Sequence, residues 1–330
     1  MTRHERAKDY VRKCNALGDS KLELELLPFD RVKLIDVTDK ESTGKIVIPS
    51  FVTHFEVEFE NEGDRVGSGP FEDCQFTEIY IENETIIDCK YLFSFMNSDK
   101  LHIEFKNPGL IEDVTGMFAY CRNLEKITGI GNIDIRNIRS LEYLFKGCES
   151  LEDVTCISSW DTMYITNMVE IFSGCISLED IEFLSSWNTE NLELLYYAFA
   201  NCGISSLKPI SNWNTGKLEN LDGVFHYCNL ESLNGLENWD TRKLQSLEAT
   251  FEGNEHLTDI SAIRNWDTKN ITLIDRIFTD CDSLNDLHIL SGWDLNNCRS
   301  SDSILVNESD LKRDELKDIY PDNIIKVLNV

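Results

Sequence analysis

The sequence predicts an α/β solenoid, with short parallel strands on one face and short helices on the other. Two aromatic series that share one period indicate this fold. Tryptophans recur at steps of 26 or 27 residues, and phenylalanines recur ahead of them at similar steps. The tryptophans are Trp160, Trp187, Trp213, Trp239, Trp266 and Trp293. Such a period is typical of stacked repeats, each of which completes its core against its neighbours.

The phenylalanine series predicts about nine coils with a cap at each end. Its members are Phe71, Phe93, Phe118, Phe145, Phe172, Phe199, Phe225, Phe251 and Phe278. Because an open end of a repeat stack would expose its core, we expect atypical segments at both termini. We therefore divide the chain into an N-terminal cap of a helix and a strand (residues 1–44), the solenoid (45–300) and a C-terminal cap (301–330).

A cysteine follows most of these phenylalanines by three residues. The series is Cys121, Cys148, Cys175, Cys202, Cys228 and Cys281, and Asn254 takes the place of one cysteine. The spacing i, i+3 predicts that Phe and Cys share one face of a short helix, where the thiol is a compact apolar filler. The chain has 11 cysteines, an odd number, and no Cys-x-x-Cys pair, which favours free thiols over a disulfide framework.

Each repeat also contains a strand-like segment and a tryptophan triplet. Residues 151–154 and 178–181 are such segments, and we expect them to stack as a parallel ladder. Five of the tryptophans begin a Trp-Asp-Thr or Trp-Asn-Thr triplet, as at residues 187–189. Because Asp and Asn interchange, this position needs an oxygen acceptor, which predicts a bond to a nearby backbone N–H.

These motifs resemble a known family. Residues 171–178, Ile-Phe-Ser-Gly-Cys-Ile-Ser-Leu, with the triplet at 187–189, are similar to the BspA-like leucine-rich repeats of bacterial and mobile-element proteins. Ile-Pro-Ser-Phe-Val at 48–52, with Phe71 and Cys74, resembles the shorter repeat of that family. The resemblance covers roughly residues 45–298 and implies a leucine-rich-repeat solenoid. It also implies a surface adhesin as one function, since many members are secreted proteins that bind host proteins.

The charge of the chain predicts the chemistry of its partner. The sequence has 31 Lys and Arg against 59 Asp and Glu, which gives a net charge of −28. Residues 1–76 hold 11 basic and 16 acidic residues, so most of the excess lies in the repeats. Such a surface repels nucleic acid and anionic membranes and attracts a protein with a basic surface. We expect no direct nucleic-acid binding, no membrane binding and a monomer when the protein is free.

The sequence shows no pattern of catalytic residues. The six histidines fall at unrelated repeat positions, and there is no His-Glu-x-x-His or paired Cys-x-x-Cys spacing that would indicate a metal. The glycine cluster at residues 63–69 lacks the lysine of a phosphate-binding loop. We therefore expect no enzyme activity, no catalytic residues, no cofactor and no metal.

One row of acidic residues is the candidate binding surface. It recurs at the strand-like segments and comprises Glu152, Asp153, Glu179, Asp180, Glu231, Asp259 and Asp286. Like charges opposite one another in a ladder are destabilising, so a row that keeps them is a candidate for contact with a ligand. The alternative is that these side chains only keep the repeats solvated.

The first function we expect is a non-catalytic scaffold that binds a partner protein through its acidic surface. One alternative is an inhibitor of phage or mobile-element origin, in which carboxylates mimic nucleic acid and occupy a DNA- or RNA-binding enzyme. The other is the bacterial surface adhesin. The charged start of the chain and the absence of any run of eighteen apolar residues predict neither a secretion signal nor a membrane span, and thus a cytoplasmic protein.

Overall fold

The computed structural model describes residues 22–27, 31–50, 52–59, 67–82, 87–107 and 111–299, together with Glu5, Asp9, Asp322 and Ile325. The chain divides into two compact units, residues 1–164 and 165–330. No helix in the described part of the chain is long and apolar enough to cross a membrane.

The N-terminal unit contains the strands. They are β1 (Leu22–Leu27), β2 (Arg31–Val37), β3 (Thr43–Ile48), β4 (Val52–Phe55), β5 (Gln75–Ile81), β6 (Ile87–Asp88), β7 (Lys100–Phe105), β8 (Ile111–Asp113) and β9 (Lys126–Thr128). β3, β5, β7 and β9 form a parallel sheet in that order, while β6 and β8 form a small parallel pair. Ile46, Ile79 and Ile103 lie in register and are buried, because every second side chain of a strand faces the core.

A second sheet opens this unit, in the order β1-β2-β4, with β1 antiparallel to β2 and β2 parallel to β4. In β1 the leucines at 22 and 24 are buried, and the glutamates at 23 and 25 are exposed. This alternation was visible in the sequence as Leu-Glu-Leu-Glu-Leu, yet we expected a single strand in the N-terminal cap. The predicted helix lies outside the described residues, apart from the helical Glu5 and Asp9.

The predicted strands of the later repeats are wrong in extent. Around residues 151–154 the ladder shrinks to one parallel bridge, between Lys126 and Asp153. In residues 165–299 the ladder consists only of isolated bridges such as Ser232 to Asp259. The physical reason is that the chain enters a 3-10 helix, as after Asp153 and Asp259, or a turn, as after Ser232, within two residues of the bridge. These helices are Ile130–Asn132, Ile135–Asn137, Thr155–Ser159 and Thr162–Tyr164 in the first unit, and Glu182–Ser186, Lys208–Ile210, Ser261–Ile263 and His288–Gly292 in the second.

The Phe-x-x-Cys segment is not the helix that its spacing predicts. Around Phe199, the residues two positions before and after it have left-handed backbones, with φ of 55° at both Tyr197 and Asn201. Successive backbone N–H groups therefore donate alternately to a carbonyl of the same coil and to a carbonyl of the next coil. The Ala198 N–H donates to Leu195 of its own coil, whereas the Phe199 N–H donates to Val224 of the next coil at 3.0 Å. The segment is a ladder of tight turns that is stabilised by hydrogen bonds between coils.

Phenylalanines form the centre of each unit. In the second unit the rings of Phe199, Phe225, Phe251 and Phe278 stack nearly parallel, with centroids 5.9, 5.9 and 5.7 Å apart. Each of these side chains is fully buried. Together with short parallel strands and 3-10 turns, these stacked coils make a leucine-rich-repeat-like fold. The number of coils and the two caps stay predictions, and the C-terminal cap lies outside the described residues except for the helical Asp322 and Ile325.

The cysteine ladder bonds one coil to the one before it. The Cys228 thiol donates to the Phe199 carbonyl at 3.1 Å, and the Cys202 thiol donates to the Phe172 carbonyl at 2.9 Å. Where Asn254 replaces cysteine, its carboxamide donates to the equivalent Phe225 carbonyl at 2.8 Å. The position therefore requires a compact donor, a role beyond the apolar filling that its spacing predicted.

The ten described cysteines carry free thiols, and Cys14 lies outside the described residues. Burial raises the pKa of Cys228 and of Cys281 to about 12. At pH 8 only about one in ten thousand of these thiols is then ionised, and the thiolate is the reactive form. We expect iodoacetamide to leave both residues unmodified in the folded protein.

After denaturation the pKa returns to about 8.5 and both thiols should react fully. Mass spectrometry of peptides alkylated before and after unfolding measures this. Cys298, which is only partly buried, serves as the internal control. Rapid modification of Cys228 in the folded protein would contradict the core ladder.

The tryptophan triplets confirm the predicted turn. The Asn188 side chain accepts the N–H of Glu190 at 2.9 Å, and Asp240 accepts that of Arg242 at 3.2 Å, so amide and carboxylate oxygens serve equally as the acceptor. The indole of Trp239 donates to the carbonyl of Ile210 in the preceding coil at 3.2 Å. The threonines add a further link between coils, which the sequence did not indicate. These are Thr189, Thr215, Thr241 and Thr268, each of which bonds the next triplet through its hydroxyl.

Candidate functional site

The aspartates of the predicted acidic row open the 3-10 turns. Asp180 accepts the N–H of Glu182 at 2.8 Å, Asp259 that of Ser261 at 2.9 Å and Asp286 that of His288 at 2.7 Å. Bonds to the Ser261 hydroxyl and N–H lower the pKa of Asp259. These carboxylates thus have a structural role whatever else they bind.

The register of the row also contains basic and neutral residues. In the first unit the ladder carries Lys100, Lys126 and Asp153 in register, and Lys126 forms an ion pair with Asp153. This lysine is the main cause of the lowered pKa of Asp153. In the second unit, Ser206 and Ser232 stand in the row between Asp180 and Asp259.

The glutamates Glu152, Glu179 and Glu231 are exposed. Within the second unit, Asp259 and Asp286 are one repeat apart, whereas Asp180 is separated from Asp259 by the two serine coils. Partner binding by the row stays a prediction.

A second group of charged residues lies on the phenylalanine side of the second unit. We call it the Tyr227 patch and define it as Tyr197, His226, Tyr227, Glu252, Arg276 and Asp280. The His226 ring meets both tyrosines edge to face, with centroids 6.2 Å from Tyr197 and 4.5 Å from Tyr227. Such T-shaped pairs are a favoured aromatic geometry.

Arg276 lies between two carboxylates. Its guanidinium bonds Glu248 at 3.1 Å and stands 3.7 Å from Glu252, which is too far for a hydrogen bond. Glu252 is also 3.5 Å from the Nε2 atom of His226. Burial raises the pKa of Glu252 and lowers the pKa of His226, since it disfavours the charged form of each.

The patch contains buried polar atoms that lack partners. Within the described residues, the Oε2 atom of Glu252 and the Nδ1 atom of His226 are buried and have no hydrogen bond. The Glu252 side chain is only 9% exposed. A buried carboxylate without full pairing is costly, so this arrangement needs an explanation beyond packing.

The backbone holds the patch in place. Tyr197, Tyr227, Arg276 and Asp280 all have left-handed backbones, with φ between 52° and 59°. Tyr227 extends over Gly253, where a Cβ atom would overlap its ring, and its hydroxyl donates to Asp280 at 2.8 Å. Glycine is thus required in the middle coil so that the tyrosine can reach the coil beyond it.

Sequence reasoning missed this patch, although one signal was available. The position directly after the phenylalanine holds Ala200 and Thr279 in two coils of this unit, but His226 and Glu252 in the two between them. Two ionisable residues where the other coils of this unit carry small ones mark a departure from the pattern. The spacing does not reveal that Arg276 and Asp280 join them.

An open polar groove of about 670 Å³ lies elsewhere on the second unit, lined in part by Arg242, Lys243, Asn270 and Arg299. Cys298 also lines it, and no histidine is among its lining residues. Across the described ranges, no group of three His, Cys, Asp or Glu side chains is placed to hold a metal ion.

Comparison with known proteins yields one family. The model of a family described as Mycoplasma protein of unknown function, DUF285, matches residues 87–204, 112–229 and 193–318. Together these matches span more than half of the chain. Overlapping matches that are offset along the chain are typical of internal repeats. None of the curated proteins compared with the chain matches it.

Among solved structures, a leucine-rich repeat protein from Bacteroides ovatus ATCC 8483 is similar to this chain at 18% identity. The alignment covers 81% of each chain with a TM-score of 0.31, and a likeness at that score carries no argument. The particular BspA-like motifs stay a prediction.

Proposed function

The chain belongs to the family described as Mycoplasma protein of unknown function, DUF285, and from that premise we propose that it is a non-catalytic scaffold that binds a basic partner protein. The observation that carries the proposal is the charge of the second unit. Residues 165–299 contain 21 acidic and 8 basic residues. A field of this sign attracts basic proteins and accelerates their encounter with the surface.

Ion pairs within this unit do not change its net charge. Arg242 pairs with Asp240 at 2.5 Å and Lys269 with Asp267 at 2.8 Å, two residues away in each case. Both pairs are exposed and are screened by salt. Eight basic residues cannot neutralise 21 carboxylates, so the unit keeps a net negative charge that attracts a basic partner.

The repeat architecture supports a binding role because it is rigid before binding. Backbone bonds between coils, such as that from Phe225 to Thr250 at 3.0 Å, and side-chain bonds, such as that from Thr241 to Asp267 at 3.2 Å, join each coil to the next. A surface that is ordered in advance loses less entropy on association. A cytoplasmic location and a monomeric free state are part of the same proposal.

Substitution of four aspartates in the acidic row tests the proposal. Asp153, Asp180, Asp259 and Asp286 are changed together to Asn. Because Asn keeps the oxygen that accepts the turn N–H, the variant should fold normally. If the row forms the interface, captured partners should associate more slowly and their binding should depend less on salt.

The measurement is capture from a lysate of cells that express the protein, followed by mass spectrometry and by association kinetics at low and high salt. Partners without excess Lys and Arg, or binding that is indifferent to salt, would contradict an electrostatic scaffold. Competition of the protein with DNA or RNA for the captured partner would support the nucleic-acid mimic instead.

A further inference from the structure

We propose that the Tyr227 patch is the point at which the basic partner docks, by receiving an arginine side chain against Tyr227 and Asp280, next to the buried Glu252. This inference rests on the proposed function and assigns it to a different surface from the acidic row. The patch differs from the row because it contains a buried carboxylate, that of Glu252, which lacks a full set of hydrogen bonds.

The first step concerns the balance of charge. Glu248 and Glu252 flank a single guanidinium, that of Arg276. Asp280 lies close enough to act on Glu252, and the nearby His226 is 3.5 Å from Glu252. The Oε2 atom of Glu252 has no hydrogen bond from the described residues, so Arg276 satisfies Glu248 but not Glu252. The patch therefore has an excess of negative charge.

The second step concerns the reach of that charge. Glu252 lies beneath the surface, where water and salt screen it less than they screen an exposed carboxylate. Its field acts on any cation placed above it. Glu248 and Arg276 lie at the rim, with side chains 37% and 43% exposed, so that an incoming cation can reach this field without unfolding the coil.

The third step identifies the cation as a guanidinium. Tyr227 is 42% exposed, and its ring is held on Gly253 while its hydroxyl is bonded to Asp280. A planar guanidinium can stack on this ring and pair with a neighbouring carboxylate at the same time, which an ammonium group does less well. Exposed, pre-ordered tyrosines are also frequent energetic centres of protein interfaces.

The test uses a short arginine–glycine repeat peptide as the probe and compares two charge-matched double variants. One is Glu252→Gln with Asp280→Asn, and the other is Asp259→Asn with Asp286→Asn in the acidic row. Each removes two negative charges while keeping side-chain shape. We expect the first to raise the Kd about tenfold and the second to change it by less than about threefold.

Two further readouts locate the contact. The NMR signals of His226 and Tyr227 should shift saturably with the peptide, and a matched lysine–glycine peptide should bind about threefold more weakly. Tyr227→Phe keeps the ring and should retain this preference for arginine, whereas Tyr227→Ala should lose it. Thermal unfolding of every variant confirms that it is folded.

The outcomes separate this inference from the proposed function. Equal increases of the peptide Kd in the two double variants would indicate diffuse attraction and would overturn the proposed docking at the patch. A higher Kd only in the Asp259 and Asp286 variant would place binding on the row. That result overturns the inference but is consistent with the proposed scaffold function. Absence of peptide binding to the unaltered protein also overturns the inference, while the lysate capture still tests the scaffold.

Discussion

Phe225→Ala should lower the free energy of unfolding by about 3–5 kcal/mol, which is the typical cost of removing a buried phenyl ring. Phe225 is fully buried. It stacks between Phe199 and Phe251 and also meets Trp239 at 6.0 Å. Because these partners are held by the hydrogen bonds of their own coils, they cannot close the cavity.

The damage should spread along the repeats of the second unit. Each coil contacts mainly its neighbours, so hydrogen exchange should accelerate around Phe199 and Phe251 before the whole unit unfolds. Chemical denaturation gives the free energy of unfolding, and hydrogen exchange measured by mass spectrometry shows which coils lose protection. Ile176→Ala, at a side chain 60% exposed, is the control and should change stability by less than about 0.5 kcal/mol. A loss below about 1 kcal/mol for Phe225→Ala would contradict a packed phenylalanine stack.

Asn254→Ala should destabilise the protein by about 2–6 kcal/mol, since it leaves two buried groups unpaired at about 1–3 kcal/mol each. The Asn254 carboxamide donates to the carbonyl of Phe225 at 2.8 Å and accepts the N–H of Leu230 at 3.2 Å. The residue is fully buried, so water cannot replace these bonds.

Asn254→Cys is the matched comparison because other coils use cysteine at this position. The new thiol should donate to Phe225 as Cys228 does to Phe199, which leaves only the Leu230 N–H unpaired. We expect a loss of about 1–3 kcal/mol, smaller than that of the alanine variant. Equal destabilisation by Ala and Cys would show that the thiol bond contributes nothing to the ladder.

Much of the core could be predicted from the sequence by itself. Phe199, Phe225, Cys228 and Trp239 are buried where the repeat places them, because the gain from burying an apolar side chain belongs to the residue type and recurs with the period. The acceptor role of Asn188 was equally local, since its bond spans only two residues. The charge of the chain follows from composition alone.

The direction of the backbone was decided by the tertiary structure. The spacing of Phe199 and Cys202 is compatible with a helix, yet the N–H of Phe199 bonds Val224 in the next coil. A helix would use that N–H internally, whereas stacking offers it a partner far along the chain. The left-handed residues at 197 and 201 are the consequence, and no local propensity favours them in Tyr.

The tertiary structure also decided which charged residues meet. Asp259 caps a turn of its own coil, and its predicted contact with a ligand stays a prediction. Arg276, His226 and Glu252 come from three different coils and form one cluster only because the coils stack in register. The sequence determined the period, the buried residues and the excess of acid, since these depend on single side chains. Stacking determined which charges of different coils pair, because those hydrogen bonds and Coulomb interactions depend on distances between coils.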